Sequence, residues 1–358
     1  MAENMIVYKC PGCGADVKLS ADTEEMKCPF CDELLNGESS EEFSMDEVQT
    51  EIPGMINGSL IEDWLPEEKE LYSVYECSEC HAQTISAGAA NGVKCPFCSG
   101  AMRKKESLGD ISRPRYIIPF ATTKGVANAA FDSMIAEMSL VPSSFKKRNR
   151  PENIFGVYVP AKVIATDCMG NVSFNAQNVK EWIEGDRKYR MTSTYAVIRG
   201  GSVSFENIAM FDTARIDDKL MDSIEPFELA GSVAFDKLFT EGFQVALNEL
   251  DMNLLEEKAR EKVSRLAIEA FRARAGMYNS VTVNQANMNV VTRGVNDVLM
   301  PVWVMNNKYL GKNYLFVVNG RTGKAAGDVP VAWVKLAMIL LSVFGVTMLV
   351  LLAILGIL

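Results

Sequence analysis

The sequence predicts a multidomain chain: two small cysteine ribbons, an α+β domain with a mainly antiparallel sheet, and one C-terminal transmembrane helix. Three observations carry this. One cysteine pattern occurs twice in the first hundred residues. Strand-like segments then come in runs rather than alternating with helices. The last thirty residues are almost wholly apolar. At 358 residues, two or more domains are expected.

The cysteine pattern is C-x2-C-x14-C-x2-C. Cys10, Cys13, Cys28 and Cys31 form the first copy, and Cys77, Cys80, Cys95 and Cys98 the second. The pentapeptide KCPFC ends both copies, which makes the pattern an internal repeat. Eight of the nine cysteines belong to it, and only Cys168 stands apart. A C-x2-C turn aims both sulfurs at one point, and two such turns supply four thiolates at about 2.3 Å from a Zn²⁺ ion. Gly14 suits the positive-φ corner after Cys13, and Pro29 and Pro96 pre-set φ in the second turns. Four sulfurs leave no open coordination position, so two structural zinc ions per chain are expected. Iron fits the same thiolates, and disulfides need an oxidising compartment. The start MAENMIVYKC has no signal-peptide pattern.

The first ribbon is residues 1–35, an acidic linker 36–70, the second ribbon 71–107, an α+β domain 110–328, and a tail anchor 329–358. The linker carries eleven acids and one lysine, against a net charge of −10 for the chain. It reads as flexible, with one short helix near Trp64. An acidic ribbon on an acidic tether repels phosphate, which disfavours nucleic acid. Arg103, Lys104 and Lys105 make the second ribbon less hostile to phosphate, and the basic run KKRNR (Lys146, Lys147, Arg148, Arg150) is a solvated loop or a contact with anionic lipid or nucleic acid.

Within the domain, RYIIPF reads as a strand closed by Pro119. A helix follows with a Thr cap and a stripe of Val126, Ala130, Met134 and Met138. IFGVYVPAKVIATDC and RMTSTYAVIRGGSVSFENIAMF read as strands with glycine turns between them. The helix DMNLLEEKAREKVSRLAIEAFRARA presents Leu255, Ala259, Val263, Leu266, Ala270 and Phe271 on one face. DVLMPVWVMNNKYLGKNYLFVVNGRTGK reads as two or three strands joined by Asn-Asn and Asn-Gly turns. No charge occurs from Leu336 to Leu358, 23 residues that span about 35 Å as a helix. Trp333 and Lys335 stand where an aromatic belt and a snorkelling cation belong. Arg321, Lys324 and Lys335 flank the anchor and predict a single-pass cell-membrane protein with its N-terminal bulk in the cytoplasm.

Catalytic chemistry finds little material. His81 is the one histidine, and it bonds a thiolate or faces solvent. Cys168 reads as a buried thiol without a basic neighbour. NGRTGK lacks the first glycine and the Ser/Thr of a phosphate loop, and Asp217–Asp218 binds a cation or serves as a turn or helix cap. No catalytic and no cofactor-binding residue is expected, and the chain reads as a non-enzyme.

RYIIPF, IFGVYVP, DDKLMDSIEPFEL and MPVWVMNNKYLGKNYLFVVNGRTGKAAGD, taken with the two cysteine sets, resemble a bacterial family of zinc-ribbon membrane proteins. Its members are often labelled after the primosomal helicase or the transcription-factor-IIB-type ribbon. Those labels follow the ribbon alone, because this chain has no helicase nucleotide site. The resemblance implies membrane partners of the phage-shock-protein-A-like and flotillin-like (SPFH) kinds, and a role in envelope stress. A membrane-anchored scaffold that recruits proteins is therefore the expectation. A membrane-tethered nucleic-acid-binding regulator is the alternative.

Overall fold

The structure is a computed structural model and describes residues 7–9, 16–18, 63–87, 94–105, 108, 111–146, 154–248, 250–276 and 278–354. Strands β1 (Val7–Lys9) and β2 (Asp16–Lys18) pair antiparallel. The rest is α+β around one mostly antiparallel sheet. In that sheet β3 (Tyr72–Cys77) lies between β4 (Gln83–Ala87) and β5 (Met102–Lys104), and β4 pairs with β10 (Gln244–Ala246). The second cysteine segment is therefore continuous with the main sheet.

Three strands dominate: β7 (Ile154–Glu184), β8 (Arg187–Phe211) and β11 (Ser280–Tyr309). β7 is central, with β8 on one side and β11 on the other. At roughly 3.3 Å per residue its 31 residues reach about 100 Å. The lower part is core, and the upper part is an arm that ends in the Gly185–Asp186 turn. The expected glycine turns reduce to that one. Gly170, Gly200 and Gly201 lie inside strands. A Cβ on Gly170 would fall 2.2 Å from the Asn287 carbonyl oxygen and 2.7 Å from Met288 Sδ, so this glycine serves close strand packing.

Helix α5 (Met252–Ala273) lies along the arm. Asp251 caps it, and Leu255, Val263, Ala267 and Phe271 are buried against Cys168, Val172 and Phe174. The predicted face holds, except that Leu266 is exposed and Ala267 takes its place. Helix α2 (Lys124–Glu137) starts at its Thr123 cap as expected, but its buried row is Ala127, Phe131 and Ile135. Val126 is exposed. The row is centred on Phe131 because that ring meets Phe316 edge-on at 5.7 Å.

The Asn-Asn turn is also corrected. Asn306 and Asn307 are buried inside β11, and the turn to β12 (Lys312–Asn319) is Leu310–Gly311. The Asn319–Gly320 turn forms where predicted and leads to β13 (Ala325–Gly327). The asparagines stay in the strand because Asn306 finds a partner there, donating to the Phe97 carbonyl.

At the end of the linker the expected short helix near Trp64 forms, but Trp64 and Glu68 are buried, so the flexible reading is corrected there. Trp64 is buried, donates to Ile111 O at 2.7 Å, and packs on Tyr72 and Phe235. Helix α1 (Pro66–Leu71) follows, and its Glu68 is buried, accepting from Arg113 at 2.8 and 2.9 Å and from Leu65 N at 3.0 Å. Burial pushes the Glu68 carboxyl up, but these donors outweigh it and hold the group below its ordinary value. Its contribution is therefore present above the ordinary carboxylate pKa and is lost as pH falls through the lowered one. Glu68→Gln, which leaves Arg113 without its buried anion, is expected to cost about 3 kcal/mol at neutral pH and to flatten the loss of stability on acidification below the ordinary carboxylate pKa. Urea unfolding of the detergent-solubilised chain at neutral and at acid pH measures this.

Helix α6 (Trp333–Ile354) is the one described helix long and apolar enough to cross a membrane, and none of it is buried. Its start is pinned to the loop after α2 by Ala332 N to Leu140 O at 2.7 Å and Lys335 Nζ to Val141 O at 3.3 Å.

Candidate metal centre

Two knuckles of the same shape build the site. The first joins β3 to β4. Cys77 N donates to Ala82 O at 2.9 Å, and His81 N to Cys77 O at 3.1 Å. In the second, Cys95 N donates to Gly100 O at 2.9 Å and Ser99 N to Cys95 O at 2.8 Å. The residue after each second cysteine is left-handed, His81 at φ 59° and Ser99 at φ 63°. That is the corner the sequence assigned to glycine in the first ribbon. Here non-glycine residues accept it, at a cost the knuckle hydrogen bonds offset. Gly100 is needed for close approach, since a Cβ there would sit 3.2 Å from Cys77 Sγ.

The four sulfurs of Cys77, Cys80, Cys95 and Cys98 all lie within 4.8 Å of one another. Cys77 and Cys98 are 3.4 Å apart and Cys80 and Cys95 3.6 Å, with no disulfide among them. A tetrahedron with metal–sulfur bonds of about 2.3 Å has sulfur–sulfur edges near 3.8 Å, so the residues fit a metal ion. Cys77 and Cys95 are fully buried and the other two half-buried. Glu79 N donates to Cys77 Sγ and Gly100 N to Cys98 Sγ, each at 3.4 Å.

Without a cation, four thiols in one buried pocket cannot all ionise. Burial pushes Cys95 far up and Cys98 up to about 11. Burial also acts upward on Cys77, but backbone N–H groups of Cys80 and Glu79 prevail and bring it down to about 7. A divalent cation at the centre supplies the charge the cluster lacks.

Two contacts that sequence reasoning missed fasten the cluster to the domain. Arg215 Nη1 donates to Cys80 O at 2.6 Å, and Asn306 donates to Phe97 O in the second knuckle. Polar Asn306 inside an apolar strand was the available signal for one of them.

The other sequence candidates separate from this centre. Cys10, Cys13, Cys28 and Cys31, with Gly14, lie outside the described residues, as do Lys147, Arg148 and Arg150. His81 is exposed, with Nδ1 3.3 Å from a Glu76 oxygen. Cys168 is buried beside Met288 under α5, and burial raises its pKa. Asp217 caps α4 (Asp218–Ile224) by accepting from Lys219 N at 2.8 Å, and Asp218 pairs with Lys258 at 2.7 Å. Asn319 holds its turn, accepting from Arg321 N and Thr322 N and donating to Ile224 O. Lys146 donates to Ala136 O at 3.3 Å.

No protein-family description matches the chain, and no solved structure does. The chain is similar to YdjG, an uncharacterized protein of Bacillus subtilis (strain 168), with 27% identity over 356 residues. The likeness covers 97% of this chain and 96% of that protein, so it extends well beyond the cysteine motifs.

Proposed function

We propose that this chain is a zinc-stapled, membrane-anchored scaffold that holds protein partners at the bilayer and catalyses no reaction. The observation that carries the reading is the end of the arm. Trp182 and Tyr189 stack across β7 and β8 at 5.5 Å, and both are exposed, as are Ile183 and Met191. An aromatic pair at the tip of a long, stiff projection has the composition of a protein-binding anchor. α6 fixes the other end to the membrane, which raises the local concentration of whatever the arm holds. Zinc in the four-cysteine centre stiffens the sheet from which the arm rises. A second ion in Cys10, Cys13, Cys28 and Cys31 completes the reading.

The family resemblance suggests phage-shock-protein-A-like or SPFH partners. The nucleic-acid alternative is weaker at this surface. Residues 180–190 hold four cations against three anions, and Glu181 bridges Lys188 at 2.6 Å and Arg190 at 3.7 Å. Such a tip lacks the basic excess that phosphate binding uses.

The test is localisation in the host of a fluorescent phage-shock-protein-A-like or SPFH protein. Full-length scaffold should hold the partner at the membrane. The Trp182→Ser/Ile183→Ser variant should remain in the membrane, fold as before and release it. A partner that stays with the variant, or full-length protein that recruits neither class, refutes the proposal. Salt-dependent DNA or RNA binding would replace it with the alternative.

A further inference from the structure

The β11–β12 hairpin ends beside the start of α6, and its turn is unusual. Leu310 and Gly311 are both left-handed, at φ 49° and 81°. Asn-Gly is the low-strain choice for such a two-residue turn. Leucine there is strained, yet its side chain is 85% exposed and packs on nothing that repays the strain.

Between this turn and the helix start lies a groove. Leu310, Val331 and Val334 give it apolar walls, and Trp333 stands exposed at its rim. Lys312 and Lys335 bring two positive charges, with Ser144 and the tyrosines for hydroxyl groups. No carboxylate is among the described residues that line it. The walls are fixed to each other, because Ser144 Oγ and Tyr309 OH are 2.8 Å apart and Ala332 and Lys335 hold the loop after α2.

We infer that this groove binds the headgroup of an anionic phospholipid, with Lys312 and Lys335 on its phosphate and Leu310 and Trp333 among its acyl chains. The inference rests on reading α6 as a membrane helix, and it adds a lipid preference and a second point of contact. Charge complementarity and continuity with the anchor select this occupant. Cations at the bilayer surface, an amphipathic ring and an apolar side chain directed outward are what an interface position uses. One anchor helix alone leaves the domain free to tilt, whereas a second contact on the neighbouring hairpin fixes its attitude.

The experiment uses full-length protein reconstituted into phosphatidylcholine vesicles with and without phosphatidylglycerol. Flotation with pure phosphatidylcholine tests the anchor by itself. Native mass spectrometry of protein released from the mixed vesicles then counts retained phosphatidylglycerol against phosphatidylcholine. Wild type should retain phosphatidylglycerol preferentially. Each lysine should contribute about fivefold, so Lys312→Gln/Lys335→Gln should lose most of the preference. Leu310→Asp should weaken retention with both lysines present. Lys180→Gln/Lys188→Gln, which removes the same charge at the arm tip, should change nothing. Flotation without preference, or an equal loss in the arm-tip variant, overturns the headgroup site and leaves the anchor standing. Failure to float on phosphatidylcholine overturns both.

Discussion

Cys95→Ser is expected to remove about one metal ion per chain and to collapse the sheet edge from β3 to β5. Serine offers no thiolate, and three remaining sulfurs do not close a tetrahedral shell. The loss is large because metal affinity is folding free energy at such a site, about 10–16 kcal/mol in isolated zinc fingers, of which a folded neighbour shares part. Cys95 lies in the same apolar cluster as Val157, Val159 and Met300, so the damage enters the main core. Elemental analysis should show the metal content falling by about one, and thermal unfolding should show a lowered and broadened transition. Acidification should do to the wild type what the substitution does. Metal binding holds the thiolates deprotonated far below their free pKa, so the stability it contributes is present at high pH and lost as pH falls. Unchanged metal content in the variant would refute the centre.

Truncation after Ala332 is expected to turn a membrane-bound chain into a soluble one with an intact fold. The cut belongs there because Val329 packs on the core and Ala332 donates to Leu140 O, whereas none of Trp333–Ile354 is buried. Full-length protein should pellet with membranes and resist a high-salt wash, because a helix of this length inserts in effect irreversibly. The truncated chain should appear in the supernatant, with a melting temperature within a few degrees of the full-length protein in detergent. If it still pellets after the wash, a further membrane contact exists, and the Leu310 hairpin is the first place to look. A fragment that isolates the first cysteine set must likewise end before Trp64, since Trp64 and Glu68 belong to the domain core.

The four-cysteine cluster was legible because its geometry is local. Three spacings in the chain fix where four sulfurs fall, and the knuckle hydrogen bonds run only between near neighbours such as Cys77 and His81. The α5 face was legible for the same reason, a period of 3.6 residues against one partner surface. What stayed hidden depends on distant segments. Nothing near Thr84–Ser86 announces that Gln244–Ala246 will pair with it. Gly200–Gly201 has the local signature of a turn, and only its pairing with Gly170 and Asn171 of β7 shows that it lies inside a strand. Asn306–Asn307 misleads in the same way, because its place in a strand depends on the Phe97 carbonyl two hundred residues earlier.

The long central strand also sets an order of events during synthesis. β7 meets β8 across a two-residue turn, but its register with β11 joins Gln177 to Ser280 and Ile154 to Met305, separations of 103 and 151 positions. The hairpin therefore exists well before its other neighbour has been made. In that interval Val172, Phe174 and Ala176 lack the cover that α5 later gives through Phe271. Non-local pairing of this length is slow, and the exposed strand is open to wrong partners while it waits. Folding of the domain is thus tied to synthesis of β11 and β12, and the last strands to close it are those next to the apolar helix α6.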